Sequence, residues 1–308
     1  MPVTIKRVPS PTPKTWKPML AAEGVLGAIW YPKIALPKLN GVRGLNQGGK
    51  MVARSLKPIP NDYIRKLFGI PELDGVDGEL VVGDHSDEEV FTKSTSGVMT
   101  KVGEPDTHWH VFDLYHDTWS YRRRLEALAE VVDRVKHHRV RLVPHKIIKN
   151  DDELVEYSDW ALNEGYEGLV LRQPSAPYKQ GRSTAREGGF MRYCEWFRSE
   201  AVILKIHEGK INQNVSKHNE LGYLKKSTHK ENMVGSGRAG AWTVRDLETE
   251  VEFNIPVPTD TLQQNVMDNP DLWLGRLIKY KFKPAVKVGG KPRFPQYEGL
   301  RSPLDMSE

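Results

Sequence analysis

Short apolar runs rich in branched side chains alternate, over the first two-thirds of the chain, with stretches whose apolar residues recur at helical spacing. Glu79-Leu80-Val81-Val82, His110-Val111-Phe112-Asp113-Leu114, Val140-Arg141-Leu142-Val143 and Gly168-Leu169-Val170-Leu171 read as strands. Leu125, Leu128, Ala129, Val132 and Val135 fall on one helical face, and Arg134, Lys136, His137, His138 and Arg139 crowd the end where the helix dipole favours cations. Asn150 followed by Glu153 forms a capping pattern ahead of Leu154, Tyr157 and Ala161, with Gly165 as the stop. Pro9-Ser10-Pro11-Thr12-Pro13 is too proline-rich for helix and leads irregularly into what the pattern predicts to be an α+β domain.

Beyond Phe197 the pattern changes. Glu200-Ala201-Val202-Ile203-Leu204-Lys205-Ile206, Gly240-Ala241-Trp242-Thr243-Val244-Arg245, Val251-Glu252-Phe253-Asn254-Ile255 and Arg276-Leu277-Ile278-Lys279-Tyr280-Lys281-Phe282 predict strands, and no long amphipathic helix separates them. A compact β-barrel is expected. Residues 209–238 hold six Lys or Arg against two Glu, with Gly235-Ser236-Gly237 as a flexible tip. That stretch fits either a loop that follows a phosphate backbone or an ordinary solvated loop.

A chain of 308 residues has room for two cores. The change in pattern sets the domains at 1–197 and 198–308. Lys and Arg number 45 against 40 Asp and Glu, a formal charge of +5, which suits a polyanionic partner. No apolar run reaches eighteen residues, and Met1-Pro2-Val3-Thr4-Ile5-Lys6-Arg7 lacks the apolar core of a signal peptide. The single cysteine, Cys194, excludes an internal disulfide framework and a multi-cysteine zinc site. A cytoplasmic protein without a membrane segment is expected.

Lys38, in Pro37-Lys38-Leu39-Asn40-Gly41-Val42-Arg43-Gly44, opens an ordered series of basic and acidic motifs. Taken alone it reads as a solvated loop lysine. A lysine nucleophile must lose its proton, which neighbouring cations and desolvation encourage. The series continues with Arg54 in Ala53-Arg54-Ser55-Leu56-Lys57-Pro58, with Asp77-Gly78-Glu79, with Phe112-Asp113 and with Glu167-Gly168-Leu169-Val170-Leu171-Arg172. Glu79 and Glu167 offer hard oxygen ligands that suit Mg²⁺ or Mn²⁺. Taken singly, these carboxylates read equally well as a turn and a helix end, and Phe112 as a core residue.

In that order the motifs resemble those of the ATP-dependent DNA ligases, above all the small bacteriophage ligases, in the superfamily that also holds RNA ligases and mRNA capping enzymes. The first family motif, K-x-D-G-x-R, is matched from Lys38 to Arg43 except at Asn40. Further signatures are Ser96-Gly97-Val98-Met99 and the closing Pro292-Arg293-Phe294-Pro295-Gln296-Tyr297-Glu298-Gly299-Leu300-Arg301. The likeness implies a nucleotidyltransferase domain of ATP-grasp-like antiparallel sheets with helices, followed by a small OB-fold domain that closes over nucleic acid. It also implies a monomer that seals nicked double-stranded DNA through three displacements. Lys38 takes AMP from ATP, AMP passes to the 5′-phosphate, and the 3′-hydroxyl then expels it; a virus working in bacterial cytoplasm is the implied setting. Glu167 lies nearer the metal and Glu79 nearer the ribose, and Phe112 stacks on adenine. Arg43 braces either the ribose or the terminal nucleotide of the nick. Arg54 and Arg172 form a fork around the 5′-phosphate, and Arg182 is a further phosphate-side cation.

Two positions depart from the family pattern. Asn40 keeps a turn-forming residue but loses the motif's negative charge, so lysine adenylylation is expected to survive better than sealing. In the fifth motif, K-x-K, Arg192 and Cys194 stand at the two lysine positions on one strand face. Arg192 can address the α-phosphate; a thiol cannot, and Lys179, Arg182 and Lys205 are the candidates to fill the gap. The rival readings are an RNA ligase, a capping guanylyltransferase and a ligase-like module that binds nicks without sealing them. The absence of an R-x-D-K segment argues against the capping enzyme.

Overall fold

The computed structural model describes residues 16–87, 89–218, 224–227, 229–283 and 290–301; the proline-rich run at 9–13 and parts of 209–238 lie outside them. The chain forms two compact units that divide between Cys194 and Glu195, with His218 grouped with the first.

In the first unit the order is β1 (Met19–Leu20), β2 (Ala22–Glu23), β3 (Lys33–Pro37), β4 (Val42–Asn46), β5 (Met51–Ala53), α1 (Asp62–Phe68), β6 (Val76–Val82), α2 (Val90–Met99), β7 (Thr107–Leu114) and α3 (Tyr121–Val135). There follow β8 (Val140–Leu142), β9 (Lys146–Ile148), α4 (Asp151–Asn163), β10 (Leu169–Arg172), β11 (Gly181–Arg182) and β12 (Phe190–Tyr193). Two five-stranded sheets carry this unit, with strand orders β2-β12-β10-β3-β9 and β5-β4-β6-β7-β8. Mixed α and β content is therefore observed as expected. At α4 the Asn150 side chain accepts from the Glu153 amide (2.8 Å) while the Glu153 carboxylate accepts from the Lys149 amide (2.8 Å). The Asn150 cap is the one its spacing predicts, while Glu153 reaches the amide one residue before the N-cap rather than that of Asn150 itself. Leu125, Leu128 and Val131 of α3 bury against Trp109 and Val111 of β7 in the largest core cluster.

The ladder between β6 and β7 contains the fold's main contribution to the site. Gly78 pairs with Val111 but Asp77 pairs with Asp113, so Phe112 is the extra residue of a β-bulge. A bulge re-aims the side chain it carries. Asp113 is thereby turned into the interior, where it is fully buried, while Phe112 stays partly open.

The second unit is built on β13 (Phe197–Asn212), β14 (Ser216–His218), β15 (Leu224–Lys226), β16 (Met233–Asp246), β17 (Glu252–Pro256), α5 (Asp260–Asp268), β18 (Leu277–Lys283) and β19 (Arg293–Leu300). Its five-stranded antiparallel sheet has the order β17-β16-β13-β18-β19 around a core of Ile203, Trp242, Val244, Ile255 and Ile278. The expected compact barrel is not formed as a closed ladder: among the described residues no pairing joins β17 to β19. Register shifts along the long β13 and β16 bend the sheet instead. Gly235, Ser236 and Gly237, expected as a flexible tip, lie within β16, and the Gly237 amide donates to the Glu208 side chain (2.8 Å). Asn214 is buried because its amide donates to the Ser227 (3.0 Å) and His229 (3.1 Å) carbonyls while accepting from Asn232 (2.9 Å). Each polar atom so placed replaces the water it loses. Among the described residues no helix is long and apolar enough to cross a membrane.

Candidate active site

A cavity of about 590 Å³ opens in the first unit, and both of its five-stranded sheets contribute to the wall. Lys38, Arg43, Arg54, Glu79, Phe112, Arg172, Arg182 and Arg192 all line it. Of the nine residues singled out in the sequence, only Glu167 is not part of the wall.

Glu167 is nevertheless joined to it. The Lys38 amide donates to the Gly168 carbonyl (2.8 Å) and the Glu167 amide to the Lys38 carbonyl (2.9 Å), so the two segments lie side by side. The Lys38 ammonium forms an ion pair with the Glu167 carboxylate. Gly168 has φ +140°, and a side chain there would meet the Tyr193 carbonyl at 2.7 Å. Glycine is thus required beside the glutamate. At Gly41 the cause is different: a Cβ would stand 2.3 Å from the Leu80 carbonyl, so closeness to β6 rather than an Asn-Gly turn excludes a side chain. Leu39 and Gly41 line the cavity, whereas Asn40 between them does not.

Arg43 on β4 sits opposite Glu79 on β6. Its guanidinium grips Asp77 with two hydrogen bonds, one of 2.9 Å from Nε, and donates to the Met19 carbonyl (2.6 Å). It also lies 5.8 Å from the Phe112 ring centre. Burial works against its charge, yet Asp77 overrides that and raises its pKa, so Arg43 stays cationic. Burial also pushes the Glu79 carboxyl up to about 7, against the opposing pull of Lys38 and Arg43.

Arg172 corrects one expectation. Its guanidinium is buried, pairs with Asp113, and lies 4.5 Å from the Tyr121 ring centre and 3.9 Å from that of Phe190. Asp113 also accepts from Nε of Arg124 (2.8 Å). Burial alone would raise the Asp113 pKa; Arg172 and Arg124 reverse this and hold it below the usual carboxylate range. Arg54, by contrast, is exposed on the turn after β5. Of the two arginines expected to form a fork, Arg54 is therefore exposed and Arg172 is committed to a buried carboxylate.

Arg182 donates to the Ala21 carbonyl (2.8 Å), and Arg192 to Glu23 (2.6 Å); both are exposed at the cavity edge. Arg192 and Cys194 do not share a site: β12 ends at Tyr193, and Cys194 stands outside the cavity wall. Of the candidates to replace its missing cation, Arg182 lines the cavity. Lys179 pairs with Glu187, and Lys205 belongs to the second unit.

Sequence reasoning missed the part of the wall supplied by α2. Phe91, Thr95 and Met99, spaced four apart, share one helical face and all line the cavity. The Thr95 hydroxyl is buried without a hydrogen-bond partner. The repeat of four in Phe91, Thr95 and Met99 was the available signal. The two glutamates suit a hard dication, since such a charge would relieve the raised Glu79 pKa and Mg²⁺ commonly uses few protein carboxylates. No group of three or more His, Cys, Asp or Glu with metal-holding geometry occurs among the described residues.

Comparison with known proteins fits this geometry. The family model described as ATP dependent DNA ligase domain matches residues 36–187. A DNA ligase of Haemophilus influenzae is 27% identical over 265 residues, covering 84% of this chain and 83% of that protein. The Chlorella virus DNA ligase-adenylate structure is 26% identical with a TM-score of 0.54, covering 93% of this chain and all (100%) of that one. A Lig E DNA ligase shares the fold with a TM-score of 0.68 at 20% identity, covering 92% of this chain and 99% of that one.

Proposed function

Since this chain belongs to the ATP-dependent DNA ligases and is a polynucleotide ligase working through lysyl-AMP, we propose that Lys38 is its nucleophile and that the cavity around Lys38 receives ATP. The observation that carries this reading is the convergence of Lys38, Arg43, Glu79 and Phe112 on one cavity, with Glu167 hydrogen-bonded to the lysine amine.

The lysine nitrogen needs a free electron pair to form its bond to the α-phosphorus as the bond to the pyrophosphate oxygen breaks. Glu167 orients the amine and is the nearest acceptor for the proton it gives up. Phe112, aimed by the bulge, offers a ring face to the base, and Phe91 and Met99 enclose it with apolar surface. Arg43 and Glu79 stand side by side where a ribose would lie, and Arg182 and Arg192 face phosphate oxygens. Glu167, with Glu79, would hold Mg²⁺ or Mn²⁺, which when bound neutralises charge building on those oxygens.

The substrate is then nicked double-stranded DNA, with exposed Arg54 at the 5′-phosphate and Arg172 held in the wall by Asp113. The second unit acts as an OB-fold domain over the nucleic acid; its antiparallel sheet and basic 209–238 stretch support that role. The two domains divide close to the boundary read from the sequence, and the protein works as a monomer in the cytoplasm. With ATP and Mg²⁺, a nick between DNA strands is expected to be sealed, and more slowly if the strand offering the 3′-hydroxyl is RNA. Equal sealing of both, or none of either, would contradict the reading.

A further inference from the structure

The turn that carries Arg54 contains a feature that local physics disfavours. β5 continues through a three-residue loop, Arg54-Ser55-Leu56, into a return segment in which Pro58 bridges to Val52. The Ala53 amide donates to the Lys57 carbonyl (2.8 Å) and the Leu56 amide to the Ala53 carbonyl (2.8 Å), which closes the loop. Hairpin loops of this length end on a left-handed residue, normally glycine. Here that residue is Leu56, at φ +65°. A bulky side chain in that region is strained, and such conformations persist where the surroundings over-determine them.

What over-determines it is visible. Leu56 packs against the apolar cluster of Trp16, Met19, Leu45, Val52, Tyr178 and Phe190. Phe190 of that cluster, with Ala21 and Val170 packed beside it, is itself part of the cavity wall. Arg54 and Ser55, the two residues ahead of Leu56, also line the cavity. Glycine would satisfy the turn but would leave its tip unattached to that wall.

We propose that Leu56 is a positioning residue: its side chain pins the strained hairpin tip to the wall cluster and so fixes Arg54 at the cavity edge for the 5′-phosphate of the nick. The inference rests on the reading of Arg54 given above. Leu56 touches no reacting atom; it acts by limiting where the Arg54 backbone can stand, and small misplacements of a binding group are costly in rate.

The test compares Leu56→Gly, Leu56→Met and Arg54→Ala in two assays: lysyl-AMP formation from ATP, and sealing of a pre-adenylylated DNA nick, with melting temperature measured alongside. Leu56→Gly relieves the left-handed strain and removes the anchor. It is expected to form lysyl-AMP at the parent rate and to raise the KM for the nick about tenfold, with little change in kcat. Leu56→Met, which keeps an apolar anchor, is expected to restore most of the parent KM. The inference is overturned if Leu56→Gly seals with the parent KM while Arg54→Ala does not. Equal loss of both steps in Leu56→Gly, or its failure to fold, would also overturn it, by making Leu56 a stability residue. If Arg54→Ala itself seals like the parent, the reading of Arg54 fails instead.

Discussion

Apart from Arg43, which is intermediate in burial, the arginines of the cavity divide into two regions with opposite physics. Arg172, joined from below by Arg124, is fully buried and shares the Asp113 carboxylate. Arg54, Arg182 and Arg192 stand exposed at the edge, and Arg192 meets its partner Glu23 largely in solvent. Motif membership does not separate the two groups; burial does. A guanidinium taken out of water needs a carboxylate on it at all times and becomes part of the wall, whereas one at the edge can exchange a weak partner for a phosphate.

The sharpest break of this comparison is Asp113→Ala. It leaves Arg172 and Arg124 buried without a counter-charge, and urea unfolding is expected to show a loss of about 3–5 kcal/mol. A loss near that of a surface substitution would erase the distinction. Next comes Glu79, whose carboxyl is raised to about 7 by burial. In the unfolded chain it titrates near its ordinary value of 4.5, so the folded state holds the extra proton between those limits. Stability from this group is present below about 4.5 and is lost as pH rises through about 7. Glu79→Gln should therefore flatten the fall in unfolding free energy between acid and neutral pH; an unchanged slope would refute the assignment. At the exposed edge, Arg192→Ala is expected to alter stability by less than about 1 kcal/mol while slowing lysyl-AMP formation. A large drop in melting temperature would move Arg192 into the buried group. The smallest effect is expected from Asn40→Asp, which should change sealing of a pre-adenylylated nick more than lysyl-AMP formation; equal changes in both steps would remove any special role for Asn40.

The division was only partly legible in the sequence. The strands around Glu79, Phe112 and Leu169 announce themselves by apolar, branched runs, and α4 by its Asn150 cap. Most site residues were found from the ordered motifs, which lie on or beside those strands. The bulge at Phe112 was not legible, since an extra residue in a ladder depends on the partner strand and leaves the alternation of β7 unmarked. The burial of Arg172 was hidden for a related reason: it and Arg124 meet Asp113 only after three separate elements pack. Helix α1, seven residues capped by Asn61, and α2, which carries Ser94, Thr95, Ser96 and Gly97, are short or poor in helix formers. With α2 unseen, Phe91, Thr95 and Met99 had no face to share.

Lys38 remains the residue on which both regions converge, one supporting the cavity wall and the other offering cations at its edge. The most direct measurement is to incubate the purified chain with ATP and Mg²⁺ and locate the adenylate by peptide mass spectrometry. One AMP on Lys38, released onto a nicked DNA 5′-phosphate and absent from Lys38→Ala, is the expected result. AMP on another residue, or nick sealing by Lys38→Ala at the parent rate, would contradict it.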